Sequence, residues 1–264
     1  MCPAQEGAMH VDRMALLRQW LREEEGARMK GWDFSHLRGR YEEENDLPWD
    51  YRQEALARLT PDCTLLDIDT GGGEFLLSLG HPYEKTSATE GYAPNVQLCE
   101  QTLKPLGIDF RRADGGETLP FDGGRFNVIL NRHGDYRPEE MYRLLKAGGV
   151  FLTEQVGAEN DRELVELLLD PAPVPPFPEQ YLDKATAKLE RCGFKILKGQ
   201  EAFQPITFWD VGALVWFARV LPWEFPGFSV RRCLDRLYRA QQALERDGKL
   251  QGRIHRFLVV AQKS

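Results

Sequence analysis

Between residues 67 and 73 the chain reads Asp67-Ile68-Asp69-Thr70-Gly71-Gly72-Gly73. An apolar run, CTLLDID at 63–69, leads into it, and a helical pattern, EFLLSLG, leaves it. A strand that ends in a carboxylate and turns on glycines into a helix lets the backbone approach a ligand closely and offers amide N–H groups to anions. Glu90 follows 23 residues after Asp67, at the end of the next apolar run, KTSATEG at 85–91. A carboxylate in that place can accept both hydroxyls of a ribose. Asp114 closes a third run, IDFRRAD at 108–114. Three acids at three successive strand ends surround the crevice where open α/β sheets take their ligands.

The elements that position these acids alternate in type. FNVILNRHG at 126–134 predicts a fourth strand, PEEMYRLLKAGG a helix and VFLTEQVG at 150–157 a fifth strand. This β-α-β-α cadence predicts a parallel, doubly wound sheet with helices on both faces. After the proline cluster PAPVPPFP at 171–178, a helix (EQYLDKATAKLERCG) leads to a sixth strand, FKILKGQ, and IHRFLVVAQK at 254–263 is the last. Val11, Met14, Leu17 and Leu21 recur at helical spacing near the start, which predicts an N-terminal helix. The chain thus divides into a helical N-terminal cap at 1–60, a core at 61–200, a helical insertion at 201–253 and a final core strand at 254–264. Eight aromatics crowd 26 residues of the insertion, from Phe203 to Phe228. That exceeds what one added helix buries, so Trp209, Trp216 and Trp223 are expected to line a substrate pocket.

This arrangement resembles the class I S-adenosylmethionine-dependent methyltransferases, whose first motif has the form D-x-G-x-G-x-G. The strings LPFDGGRFNVIL and RLLKAGGVFLTEQV are similar to the family's fourth- and fifth-strand signatures. The resemblance covers about residues 60–160 and extends to the C-terminus in topology. It implies a Rossmann-like, mostly parallel sheet of seven strands and S-adenosylmethionine as cofactor, with S-adenosylhomocysteine as product. It places Asp67, Asp69, Thr70, Gly71 and Gly73 around the methionine part of the cofactor, Glu90 with Gly91 at the ribose, and Asp114 with Gly115 near the adenine. Asp69 departs from the pattern, because the family has its first glycine there.

Asn131, Arg132 and His133 end the fourth strand, which in this fold faces both cofactor and acceptor. Asn131 is assigned to the cofactor, Arg132 to an acid group on the acceptor and His133 to general-base catalysis, with Glu154 as a weaker base. Trp32, Tyr41 and Trp49 are expected to pack the N-terminal segment over the cofactor. The expected activity is in-line methyl transfer to a small molecule.

Composition weighs against the alternatives. Apolar residues are 42% and charged residues 28%, as in globular domains. With 34 Lys and Arg against 41 Asp and Glu, the net charge is −7, a poor match to nucleic-acid phosphates. A nicotinamide-dinucleotide site would need Gly or Ala at position 76, where Leu76 stands. A non-catalytic binding protein remains open through Asp69, as does an RNA- or protein-directed methyltransferase. The five cysteines include no C-x-x-C pair, so neither a disulfide framework nor a cysteine-based metal site is expected. The longest apolar run, VGALVWFARVL at 211–221, is too short to span a bilayer. A cytoplasmic protein without membrane partners is expected.

Overall fold

The structure, a computed structural model, describes residues 12–29, 33–43 and 46–264. Val11 of the first helical pattern, Trp32 and the start of the predicted cap lie outside the described residues.

Eight strands form one mixed sheet: β1 (Tyr41–Glu43), β2 (Leu65–Ile68), β3 (Thr86–Glu90), β4 (Asp109–Arg112), β5 (Phe126–Arg132), β6 (Leu145–Val156), β7 (Phe194–Phe208) and β8 (Leu250–Lys263). Their order is β1-β7-β8-β6-β5-β2-β3-β4. The pairs β2–β3, β3–β4, β2–β5 and β5–β6 are parallel, and β6–β8 is antiparallel. Between the strands run α1 (Arg13–Gly26), α2 (Tyr51–Leu56), α3 (Glu74–Ser78), α4 (Ala93–Thr102), α5 (Pro138–Leu144), α6 (Arg162–Leu168), α7 (Leu182–Arg191), α8 (Val211–Val220) and α9 (Leu234–Asp247). All residues of β2 and β3 are buried, as central parallel strands covered on both faces must be.

The sheet corrects the expected seven strands to eight. The sixth predicted strand does not stop at FKILKGQ but continues for 15 residues to Phe208. Its last three residues pair antiparallel with β1, Tyr41 opposite Phe208 and Glu43 opposite Ile206. Aromatic packing sustains the pair: Tyr41 and Phe208 lie 5.6 Å apart by ring centroid. Residues 201–208 are therefore strand, and the helical insertion begins after them.

The chain divides into two compact units. The first holds the described residues up to Glu43, with Asp161–Pro176 and Gln204–Ile254; the second holds Asp46–Asn160, Phe177–Phe203 and His255–Ser264. β7 and β8 each run from one unit into the other. Residues 46–60, predicted as cap, belong with the second unit because Trp49, Tyr51 and Ala55 are part of its core, together with Leu65, Leu130 and Leu152. Conversely α6, which the sequence left unassigned, joins the first unit through Leu164, Val165 and Leu168.

The first unit is built around α8, which is apolar on all sides. Nine of its ten residues are buried, the signature of a core helix. Asp210 starts it, its Oδ1 accepting the Ala213 N–H at 2.8 Å. The same carboxylate takes two bonds from Arg40, at 2.7 and 2.8 Å, and Arg40 also pairs with Glu23 at 2.8 Å. Burial raises the Asp210 carboxyl, but Arg40 and the helix N–H groups together hold it below its ordinary value. Asp210→Ala is expected to cost about 1–2 kcal/mol of stability, with Asp210→Asn losing less because it keeps the cap. Equilibrium denaturation of the two variants measures this.

Candidate functional site

All of the acids singled out by spacing belong to the second unit. Parallel pairing brings the carboxyl ends of β2, β3, β4 and β5 to one edge of the sheet. The register sets Asp67 beside Ala88 and Leu130, and Glu90 beside Arg112.

The glycine turn has the backbone its residues allow. Gly71 and Gly73 have φ of 64° and 86°, the left-handed region in which glycine pays no steric cost. At Gly73 a side chain is excluded twice, since a Cβ there would also lie 2.7 Å from Leu103. At Gly71 a Cβ would meet nothing within 4 Å. The outer face of the turn is thus open at Gly71. Asp67 is buried beneath, 4% exposed, and accepts the Thr70 hydroxyl at 2.7 Å. Burial pushes its carboxyl up to about 6, against the Thr70 hydrogen bond and the charge of Arg132.

Glu90 is buried and ties the elements together. Its Oε2 accepts the Gly71 N–H at 2.8 Å and its Oε1 the Tyr92 N–H at 2.8 Å. It therefore joins the end of β3 to the glycine turn and to the entry of α4. Gly91 lies against Asp114: a Cβ at Gly91 would be 3.1 Å from Asp114 Oδ2. Asp114 itself is exposed and accepts the Gly116 N–H at 3.0 Å.

Asp69 has φ 54°, so this position demands left-handed geometry although it carries an aspartate. Its Oδ1 accepts the Gly115 N–H at 3.3 Å. A Cβ on Gly115 or Gly134 would come within 2.9 or 2.5 Å of its Oδ2. The carboxylate is accommodated between two glycines of the loops that follow β4 and β5. Burial, then Asp114, Glu90 and Asp135, push it up to about 7. Asp135 was not anticipated. Its only signal is position, four residues past Asn131 in the loop after β5.

The end of β5 is divided in its roles. Asn131 is fully buried, and its Oδ1 accepts from Thr153 at 3.1 Å and from Gln155 at 2.6 Å. The amide braces β5 against β6. Arg132 is exposed, with its guanidinium 4.7 Å above the Phe75 ring and 6.0 Å from that of Tyr51. His133, with φ 61°, lies 3.4 Å by Nε2 from Glu154 Oε1. Trp49 Nε1 donates to the other oxygen of Glu154 at 2.6 Å. The 105 residues between Trp49 and Glu154 explain why no local spacing signalled that bond.

Three predicted substrate contacts lie in the first unit. Trp216 is 1% exposed and packs in that unit's core, stacked on His36 at 5.1 Å. Its ring fills the core and presents no surface to a ligand, which corrects the pocket role expected for it. Trp209 and Trp223 are 42% and 41% exposed. Tyr41 also packs within this unit, against Phe34, Phe208 and Phe217.

The residues at the sheet edge fit the expected cofactor. Glu90 keeps lone pairs beyond those used by the loop, suited to ribose hydroxyls. The turn is open at Gly71, and the surrounding carboxylates Asp67, Asp69, Glu90, Asp114 and Asp135 suit a ligand bearing an ammonium and a sulfonium. Asp69 places a side chain between Gly115 and Gly134 at this edge.

Sheet order, strand directions and the glycine turn define the class I methyltransferase fold. No family model matches the chain. Among curated proteins, the protein-L-isoaspartate O-methyltransferase of Photorhabdus laumondii is 29% identical over 104 residues, which are 38% of this chain and 50% of that protein. The chain spans about half the length of this curated relative. Among solved structures, a candidate methyltransferase of Bacillus halodurans aligns at TM-score 0.56 with 19% identity, over 81% of this chain and 98% of that one. A functionally unknown protein of Deinococcus radiodurans aligns at 0.57 with 17% identity, over 85% and 91%. The YcgJ protein of Bacillus subtilis aligns at 0.53 with 18% identity, over 81% and 97%. These likenesses establish the fold. Among the described residues no helix is long and apolar enough to cross a membrane.

Proposed function

We propose that the chain is an S-adenosylmethionine-dependent methyltransferase whose acceptor is a small molecule. The observation that carries this is Glu90, a buried carboxylate at the end of β3 that also fastens the glycine turn by its Gly71 N–H bond. When bound, the cofactor supplies a methyl group made electrophilic by its sulfonium. The chain's own part is to hold, align and exclude water. Glu90 holds the ribose hydroxyls, the turn at Gly71 receives the methionine end, and Asp114 with Gly115 flanks the adenine. Arg132, spread over Phe75, faces an acid group on the acceptor. The small-molecule acceptor is supported by the net charge of −7, which disfavours a polyanionic partner.

Calorimetric titration with S-adenosylhomocysteine tests the cofactor assignment. One ligand per chain is expected. No heat at roughly 1 mM ligand, a binding free energy weaker than about −4 kcal/mol, overturns it. A second reading, cofactor binding without transfer, is favoured by Asp69 alone. It predicts binding with no S-adenosylhomocysteine released from S-adenosylmethionine by any acceptor.

A further inference from the structure

We propose that the Asp69 carboxylate makes the cofactor site charge-selective, so that the chain holds S-adenosylmethionine, whose sulfur is positive, more tightly than the product S-adenosylhomocysteine, whose sulfur is neutral. This rests on the methyltransferase reading above and deepens it, since it gives the same site a means to shed its product.

Asp69 is short of partners. It is half-buried in the turn after β2 and receives one hydrogen bond, from the Gly115 N–H at 3.3 Å. That is long for an ionised acceptor, whose N–H bonds run about 2.7–2.9 Å. Its Oδ2 has no hydrogen-bond partner among the described residues. A carboxylate withdrawn from water is stable only beside a cation or several donors. The cations of the adjoining elements are engaged elsewhere. Arg132, at the end of β5, lies over Phe75 at 4.7 Å, and His133 faces Glu154 at 3.4 Å. On β4, Arg111 pairs with Asp109 at 3.0 Å and Arg112 is exposed. The charges that act on Asp69 are those of Asp114 after β4, Glu90 at the end of β3 and Asp135 after β5, all negative. Asp67, on its own strand, turns inward to the Thr70 hydroxyl. The fold supplies Asp69 with no counter-charge, so the counter-charge it is built for comes with the ligand. A mere clasp on Gly115 needs only an oxygen, which a neutral amide offers equally.

The two ligands isolate that charge. They share adenine, ribose, ammonium and carboxylate, so the contacts common to both cancel in the ratio of their affinities. What remains is the S-methyl group and its positive charge, and the ratio reads the field of the acids at the sulfur. One charge pair in a partly solvated site is worth about 10-fold in Kd.

The pH dependence follows. Burial and the neighbouring acids push Asp69 up to about 7, so it is an anion at pH 8 and mostly protonated at pH 6. Its selectivity is present at pH 8 and lost as the pH falls through 7. By reciprocity, a positive ligand favours the ionised carboxylate, and its binding near pH 7 drives a fraction of a proton into the solvent.

Calorimetric titration of the full chain with each ligand, without acceptor, tests this. The parent is expected to favour S-adenosylmethionine about 10-fold at pH 8 and several-fold less at pH 6. Asp69→Asn keeps the shape and the oxygen that accepts from Gly115 but removes the charge, and is expected to show the smaller ratio at both pH values. A parent that binds the two ligands equally at pH 8, or prefers the product, overturns the proposal, as does an Asn variant that keeps the parent's ratio at pH 8. If that variant does not fold, the parent alone decides. Titrations at pH 7 in buffers of different ionisation heat count the protons exchanged, and S-adenosylmethionine is expected to release more than S-adenosylhomocysteine. Equal release overturns the proposal. No heat from either ligand at roughly 1 mM, a binding free energy weaker than about −4 kcal/mol, would instead sink the methyltransferase reading, so the two failures are distinct.

Discussion

Replacing Glu90 by Gln is expected to weaken S-adenosylhomocysteine binding about 10- to 100-fold, the equivalent of about 1.5–3 kcal/mol for one lost charged hydrogen bond. The carboxylate has two duties. Inward, its two oxygens each accept a backbone N–H, from Gly71 and from Tyr92, both at 2.8 Å. Outward, its remaining lone pairs are the proposed acceptors for the ribose. A glutamine turns one oxygen into an NH2 donor, which must then face one of those backbone N–H groups. One anchor of the turn is lost whichever way the amide is flipped, and the turn loosens as the ribose contact weakens. A stability loss of about 1–3 kcal/mol is expected alongside. Calorimetry gives the affinity and thermal unfolding the stability. Undiminished affinity in a folded Glu90→Gln would show that another group holds the ribose.

The acids at the sheet edge were legible because their spacing follows local rules. Strand, turn and helix repeat with a fixed sense in a parallel sheet, so each carboxyl-terminal acid lands on one edge. That reasoning reached Asp67, Glu90 and Asp114. It did not reach Trp49, whose bond to Glu154 joins residues 105 apart, because sequence periodicity carries no information on such contacts. The length of β7 was hidden for a different reason. Pro205 interrupts the run EAFQPITF, and a proline argues against a strand. The proline is tolerated near the end of the strand, just before the three residues that pair with β1. Trp216 misled because aromatic excess does not distinguish a core from a pocket. Only the burial of α8 on all sides assigns its ring to the core. The bracing role of Asn131 was hidden in the same way as the Trp49 bond, since its Oδ1 is held by Thr153 and Gln155, more than 20 residues away in the chain.

Asp69→Gly is expected to stabilise the protein by about 2 kcal/mol at pH 8 and by almost nothing at pH 4, and to bind S-adenosylhomocysteine more tightly. The sign follows from the titration. In the fold, burial and the neighbouring acids push the carboxyl up to about 7, against 3.8 in the unfolded chain. Below about pH 4 it is protonated in both folded and unfolded chains and costs nothing. As pH rises to 7 the unfolded chain ionises first, so stability is lost progressively, and the loss is complete above 7. At 1.36 kcal/mol per unit the full shift corresponds to about 4 kcal/mol, reduced to about 2–3 because part of the group meets solvent. Backbone effects nearly cancel. Glycine relieves the left-handed strain at φ 54°, worth about 1 kcal/mol, and adds unfolded-state entropy costing about 0.5–1 kcal/mol. The hydrogen bond from Gly115, long at 3.3 Å, is a small loss. For the ligand, if the Asp69 carboxylate faces the carboxylate of the methionine end, two like charges about 4 Å apart repel by on the order of 1–4 kcal/mol, and glycine relieves that repulsion. Asp69→Asn separates the two causes, since it removes the charge and keeps the Cβ. Thermal melts of the three proteins at pH 4 and pH 8, with calorimetry at pH 8, measure both effects. Weaker binding by the glycine variant would reverse the argument. The carboxylate seated between Gly115 and Gly134 would then be a contact for the ligand's ammonium or sulfonium, and the substitution at the motif's first glycine position a re-specification of the loop.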